Sequence, residues 1–500
     1  MSPAFLKTHL HFFRTMSEEN VRYFKNIWVT VLSILFIIFM VLWIFVSYYF
    51  IIALILLLIL LLPVEPIIGI PLMFMATGFD LFAQIIKSEE HIYSFTYFHI
   101  VMLVTFVSVF LNHFIKRKTK LPSGSLWAPV MAFLTMILIS LIYTPKFFDG
   151  FMEFVRLAML CALTFAIMIS VNSWKNVQFV AWSYILIPFG SSLYTFYEIV
   201  TEGEFYKSQV INVASQLGLN VYRSTGTFHN PNILASFLMI GITIGFGLLF
   251  VKKTNLLVKV FLLVTIGVTC VALVASFSRG GWLATFFAVF IVVVLQRRWS
   301  YFGLFTVLLI VMLSIVSIKA PEIVLSAIQR FVMIFSPEGE DSSLSRISLI
   351  KMGIWMWQDN PLFGVGAGGF SYYAPDYIDP NMPRALVDIT LPHTLQSKIL
   401  AEEGLIGITI AVWFVITVFF DSYRSIKFIT DDFLKNTQIA FVALFLGYMV
   451  SFTFSSDLHN NIFWITVGML YAIPIISKQI QGTDIPQTVD TTIHSRNNTS

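Results

Sequence analysis

Two kinds of side chain in this sequence have the type and setting to do chemistry: arginines beside apolar runs, and a few histidines. Arg223, in VYRSTGTFHNPNILASF, lies a few residues before a long apolar run. A guanidinium there can fork onto a phosphate through paired, charge-assisted hydrogen bonds. The same position also suits an arginine snorkelling to lipid head groups. Arg279, in ASFSRGGWLA, sits at the tight junction of two membrane-length apolar runs. A charge so close to a membrane is a functional candidate by default, with a structural ion pair as its competitor. Gly280 and Gly281 beside it would let backbone come close to a ligand. His393, in LPHTLQSKILAEEGLIG, carries the one side chain whose ordinary pKa makes proton abstraction practical near neutral pH. His229 and His459 are placed similarly, and position alone does not choose among the three.

Several other groups have more structural readings. Glu153 and Arg156 are three apart in an apolar run, on one helix face, where they can neutralise each other. Glu402 and Glu403 fall about two and a half turns into another such run, too deep for unpaired carboxylates, so at least one should meet an arginine or hold a proton. The run GVGAGG, Gly364 to Gly369, matches a dinucleotide-binding pattern letter for letter, but no strand precedes it and no βαβ unit surrounds it. It reads better as a glycine-rich turn shaping a loop. Cys161 and Cys270 lie in apolar runs without metal-type spacing and read as small buried hydrophobes.

The elements that must position these residues are membrane helices. The 500 residues are 57% hydrophobic and 12% charged, with a mean hydropathy of +0.83, which excludes an ordinary soluble domain. A net charge of +4, spread thinly, gives no basic surface for nucleic acid. With about 20 apolar residues needed per crossing, the expected segments are 26–44, 45–62, 66–86, 95–115, 125–145, 149–171, 176–199, 228–250, 255–275, 282–296, 301–319, 395–420, 438–455 and 461–476. The fold class expected is therefore an all-α polytopic membrane protein with about 12–14 transmembrane helices.

Lysine and arginine in short loops mark the cytoplasmic side. Residues 1–25, Lys116 to Lys120, Lys252–Lys253 and Arg297–Arg298 then share that side, as does a polar tail over 477–500. The chain divides into N-terminal helices over 26–199, an outer loop over 200–227, central helices over 228–319, a large outer loop over 320–394 and C-terminal helices over 395–476. Within the large loop, Asp341 to Ser345 can cap a helix whose Trp-rich run, Ile347 to Trp357, could lie flat on the membrane. Outer loops should be poor in arginine, yet Arg223, Arg279, Arg346 and Arg384 all fall on that side.

Four stretches in this order resemble the O-antigen ligase and O-antigen polymerase (Wzy-type) family of bacterial membrane glycosyltransferases. They are RSTGTFHNPNILASF, SFSRGGWLA, the span from Arg346 through Trp355 to NPLFGVGAGGF, and PHTLQSKILAEEGLIG. The resemblance covers residues 220 to 410, whereas the N-terminal third is similar only in hydropathy. It implies transfer of a glycan from an undecaprenyl-pyrophosphate carrier to an acceptor hydroxyl (of a glycan, lipid or wall polymer) at the outer face of the plasma membrane. It also implies no nucleotide-sugar donor, no cofactor and no essential metal. On the matching positions, Arg223 and Arg279 would bind the diphosphate, and His393 would act as base or orient the acceptor. Arg346, Glu402, Glu403, Asn232 and Gly366 would bind substrate or support the site. The double carboxylate departs from the family pattern, in which a single acidic residue before the glycine is more usual.

The chemistry is physically sensible, since breaking a sugar–diphosphate bond builds negative charge that arginines near low-dielectric lipid stabilise strongly. The competing class is a transporter or flippase for an anionic lipid-linked substrate, to which many helices with internal charges also suit. Against it stand the lack of an internal hydropathy repeat and the concentration of polar residues on one face.

Overall fold

The computed structural model describes residues 66–80, 84–86, 95–112, 124–201, 210–214, 219–300, 341–380, 394–455 and 459–482, with a few single positions between 303 and 314. The expected segments 26–44 and 45–62, nearly all of 301–319, and His393 and Arg384 lie outside the described residues. The remaining expected segments all contain helices, but 66–86 is not one crossing: its helix ends at Gly78 and residues 84–86 form a strand. The helices are α1 (Gly69–Gly78), α2 (Tyr97–Val109), α3 (Trp127–Ser140), α4 (Phe147–Ser170), α5 (Trp174–Thr201), α6 (Pro231–Leu248), α7 (Leu256–Ala275), α8 (Arg279–Gln296), α11 (Leu395–Ser425), α12 (Asp432–Ser451) and α13 (Asn461–Ile480). Between α8 and α11 stand α9 (Asp341–Asp359) and the single turn α10 (Phe370–Tyr373). Among the described residues, eight helices are long and apolar enough to cross a membrane, and α1, α2 and α3 are shorter apolar helices. The protein is an all-α polytopic membrane protein, with two small antiparallel hairpins added: β1 (Gln84–Ile86) with β2 (Phe95–Thr96), and β3 (Val210–Ala214) with β4 (Leu219–Tyr222).

Helix starts follow local chemistry. Asn230, Asn255, Ser278, Thr394, Asp431 and Asn460 each cap the helix that follows by accepting a backbone N–H, which satisfies a donor that would otherwise be unpaired. Pro231 occupies the first turn of α6, where its missing N–H costs nothing. Nearly every residue of α6 is buried, because it is surrounded by α5, α7, α8 and α12. Helices α4, α12 and α13 pack in series beside it, while α11 packs on α3 and α9.

Two further expectations change. The Trp-rich helix α9 does not turn its apolar face to a membrane surface. Leu349, Met352 and Met356 pack with Val365, Phe370 and Ala401 in a small separate core, so protein covers the stripe. The segment beginning at Leu395 is not one straight crossing either. Gly404 has φ 65° and ψ −158°, a conformation open essentially to glycine alone, and it divides α11 into a short helix over 395–403 and a longer one over 405–425. At 1.5 Å per residue the second part is about 31 Å long and spans a membrane by itself.

Candidate active site

Residues 223–228 and 275–281 are docked onto each other. The Ser224 N–H donates to the Ala275 carbonyl at 3.1 Å. The Arg223 guanidinium donates from Nε to the Ser276 carbonyl at 3.0 Å and from one Nη to Asn232 Oδ1 at 2.9 Å. Asn232 Oδ1 also accepts from the Ser278 hydroxyl at 2.8 Å. Because Asn232 sits in the first turn of α6 and Ser278 caps α8, the starts of two helices and Arg223 meet at one amide oxygen, and Arg279 is the first residue of α8, next to Ser278 in the chain. Each helix start carries partial positive charge, so the junction favours an anion. Arg223 and Arg279 are both half-buried.

The turn before Arg279 is held in an unusual shape. Phe277, buried, has φ 49°, a left-handed conformation that side chains rarely adopt and that costs of order 1–3 kcal/mol unless its surroundings enforce it. The enforcement is visible on both sides: the Ser276 carbonyl is held by Arg223, and the Ser278 hydroxyl by Asn232. Gly280 and Gly281 do not offer backbone to a ligand as expected. A Cβ at Gly280 would meet the Phe454 ring at 2.6 Å, and one at Gly281 would meet the Ala235 Cβ at 2.3 Å. Their smallness lets α8 approach α6 and the end of α12.

The sequence reading missed Glu198, near the end of α5. Its carboxylate accepts from the Thr225 hydroxyl at 2.9 Å and the Gly226 N–H at 2.8 Å, which clamps the loop that carries Arg223. The Thr227 hydroxyl, in contact with Ser191 Oγ at 2.8 Å, reaches the Gly78 carbonyl at 2.5 Å. A lone carboxylate closing an apolar run was the available signal.

His393 lies outside the described residues, but the helix it precedes is well anchored. Thr394 caps that helix, and the Leu395 N–H donates to the Phe452 carbonyl at 3.0 Å. Two residues on, Phe454 packs on Gly280. The end of α12 therefore touches both the arginine junction and the start of α11. Arg346 stands half-buried near the start of α9, the helix packed on α11.

Glu402 and Glu403 are not deep inside a continuous crossing; they end the short helix at the Gly404 break, and both are buried. The partner of Glu402 is a lysine rather than an arginine: Lys398 Nζ lies 3.7 Å from its carboxylate, and the Phe370 N–H donates to it at 3.2 Å. The other carboxylate bonded to Lys398 belongs to Glu153, so Glu153 forms a hydrogen-bonded ion pair with Lys398 on α11, and the Arg156 charge on its own helix acts on it as well. One oxygen of Glu403, Oε2, is buried without a hydrogen-bond partner.

The glycine-rich turn closes this arrangement. The N–H groups of Val365 and Gly366 donate to the carbonyls of Ala401 and Glu402, while those of Leu405 and Ile406 donate to Pro361 and Leu362. The backbone groups exposed by the break are thus paired with the turn, as buried amides require. Gly364, Gly366 and Gly368 have φ of 69°, 91° and 71°, which explains the glycines without any nucleotide. Gly366 is filled against the Thr144 backbone, which a Cβ would meet at 2.8 Å, so its role is packing.

A search of curated proteins returned no match. The chain is similar to one in a solved structure of a peptidoglycan synthase complex, at 12% identity and a TM-score of 0.41, over 71% of this chain and 98% of that one. Residues 260–412 match the family model described as O-antigen ligase. That stretch is similar to the O-antigen ligase family and contains Arg279, Arg346, Gly366, His393, Glu402 and Glu403 but not Arg223 or Asn232.

Proposed function

We propose that the protein transfers a glycan from an undecaprenyl-pyrophosphate-linked donor to an acceptor hydroxyl at the outer face of the bacterial plasma membrane, with both chain ends cytoplasmic. The observation that carries this reading is the junction at which Arg223 and the helix cap Ser278 both bond to Asn232, with Arg279 opening the helix that Ser278 caps. Asn232 is a neutral acceptor, so it aligns Arg223 without cancelling the charge a diphosphate would use.

In this mechanism the acceptor oxygen attacks the anomeric carbon, and the bond from that carbon to the diphosphate oxygen breaks. The carrier diphosphate leaves with the electron pair, and its new charge falls to Arg223 and Arg279. His393 takes the proton of the acceptor hydroxyl, a contribution on the order of 10² to 10⁴ in rate. An apolar cavity of about 250 Å³ suits a segment of the carrier chain; it extends from Leu395 at the start of α11 between Val130, Leu157, Phe414 and Phe463.

Purified protein in vesicles, given lipid-linked donor and acceptor glycan, should yield a covalently extended or transferred glycan. Replacing Arg223, Arg279 or His393 with alanine should abolish this while membrane insertion is retained. Full activity in all three variants would refute the proposal, and uptake of donor without covalent change would point to a transporter.

A further inference from the structure

A second polar cavity, of about 190 Å³, lies between α1, α2, α4 and the start of α13, lined by Asp80, Thr96, His99, Arg156, His459 and Asn461. It is well below the ~300–1,000 Å³ of drug-sized sites and has room for one small unit, not a chain. Part of its wall is apolar, from Phe98 and Leu160.

The two histidines differ in their hydrogen-bond partners. The Thr96 N–H donates to His99 Nδ1 at 3.2 Å, so in the neutral ring Nε2 of His99 carries the hydrogen. The ring of His459 lies beside the Glu153 backbone. Its Nε2 is buried with no hydrogen-bond partner. An unpaired buried nitrogen in a polar cavity asks for a hydrogen-bonding group from outside the protein, and a hydroxyl serves either tautomer.

The cavity also lies between the two halves of the proposed site. On one side Asp80 is two residues from Gly78, whose carbonyl holds Thr227 in the Arg223 loop. On the other, His459 lies beside Glu153, whose carboxylate holds Lys398 in the short helix that follows His393.

We infer that this cavity binds one sugar unit of the glycan substrate, with His459 Nε2 hydrogen-bonding a sugar hydroxyl and Arg156 and Asn461 offering donors to its oxygens. The inference rests on the glycosyl-transfer reading above. The sugar can belong to the donor or to the acceptor.

The test is steady-state transfer by full-length protein in nanodiscs, comparing the wild type with His459→Leu and Arg156→Gln. A lost hydrogen bond to a substrate hydroxyl should raise one KM by roughly tenfold while kcat stays within about threefold. A raised donor KM assigns the sugar to the donor, and a raised acceptor KM to the acceptor. Unchanged KM values for both substrates in both folded variants overturn the inference. Should either variant fail to fold, wild-type protein is labelled with donor or acceptor glycan carrying a diazirine on a terminal sugar. Cross-links to residues 96–102 or 459–461 support the cavity, and cross-links confined elsewhere overturn it. Labelling of the cavity by a protein that performs no transfer would sink the transfer reading alone; transfer with unmoved KM values would sink the cavity alone.

Discussion

The Gly366 N–H donates to the Glu402 carbonyl at 2.8 Å, so the glycine-rich turn is hydrogen-bonded into the break of α11. The break depends on Gly404, where a Cβ would meet the Leu362 carbonyl oxygen at 2.5 Å. Gly404→Ala combines that clash with a positive φ, and a destabilisation of about 1–3 kcal/mol is expected. It should appear as a lower melting temperature in detergent together with lost transfer; an unchanged melt would show that the break is not strained by a side chain.

Lys398 stands between two buried carboxylates, Glu153 and Glu402. Lys398→Met would leave both without their cation, which in comparable buried pairs costs roughly 3–5 kcal/mol. Adding Glu153→Gln should recover part of the loss, since one of the two stranded charges is removed. A double variant no more stable than the single one would argue against direct coupling.

Asn232 accepts from Arg223 and from Ser278 through one oxygen. Asn232→Asp preserves both bonds and adds a negative charge where the donor diphosphate is proposed to sit. The expected result is a donor KM raised by about tenfold, equal to roughly 1.4 kcal/mol, with the melting temperature retained. A donor KM equal to that of the wild type would place the diphosphate elsewhere.

Burial pushes the His459 imidazole down from 6.5 to about 4. Glu153, Lys398 and Arg156 act on the ring, and Asp80 and His99 line the same cavity. The unfolded chain takes up a proton below pH 6.5 that the folded protein accepts only near pH 4. Stability therefore falls as pH drops through that window, by at most about 1.4 kcal/mol per pH unit. Melting curves between pH 7 and pH 5 should show a smaller decrease for His459→Gln than for the wild type, and identical decreases would remove His459 from the account.

The sequence by itself determined where the described apolar helices lie, because apolar length acts locally, whereas their exact starts shifted, from 438 to Asp432 in α12 and from 282 to Arg279 in α8. It also singled out Arg223 and Arg279 by type, since a guanidinium beside a membrane is costly wherever the chain folds. The partner of Glu402 was not read from sequence: Lys398, one helical turn before it, emerged only with Glu153 across the interface. What the tertiary structure decided was pairing and depth. A hydropathy window passes through Gly404 without interruption, because one glycine barely changes mean hydropathy while its positive φ ends a helix. The backbone groups freed there find partners in a turn far away in the chain, and neither partner encodes the other locally. For the same reason Glu153 gains Lys398 on α11 beside the Arg156 charge on its own face, and His459 closes a cavity with residues more than three hundred positions away. Contacts between distant segments follow from how helices pack, which no local pattern records.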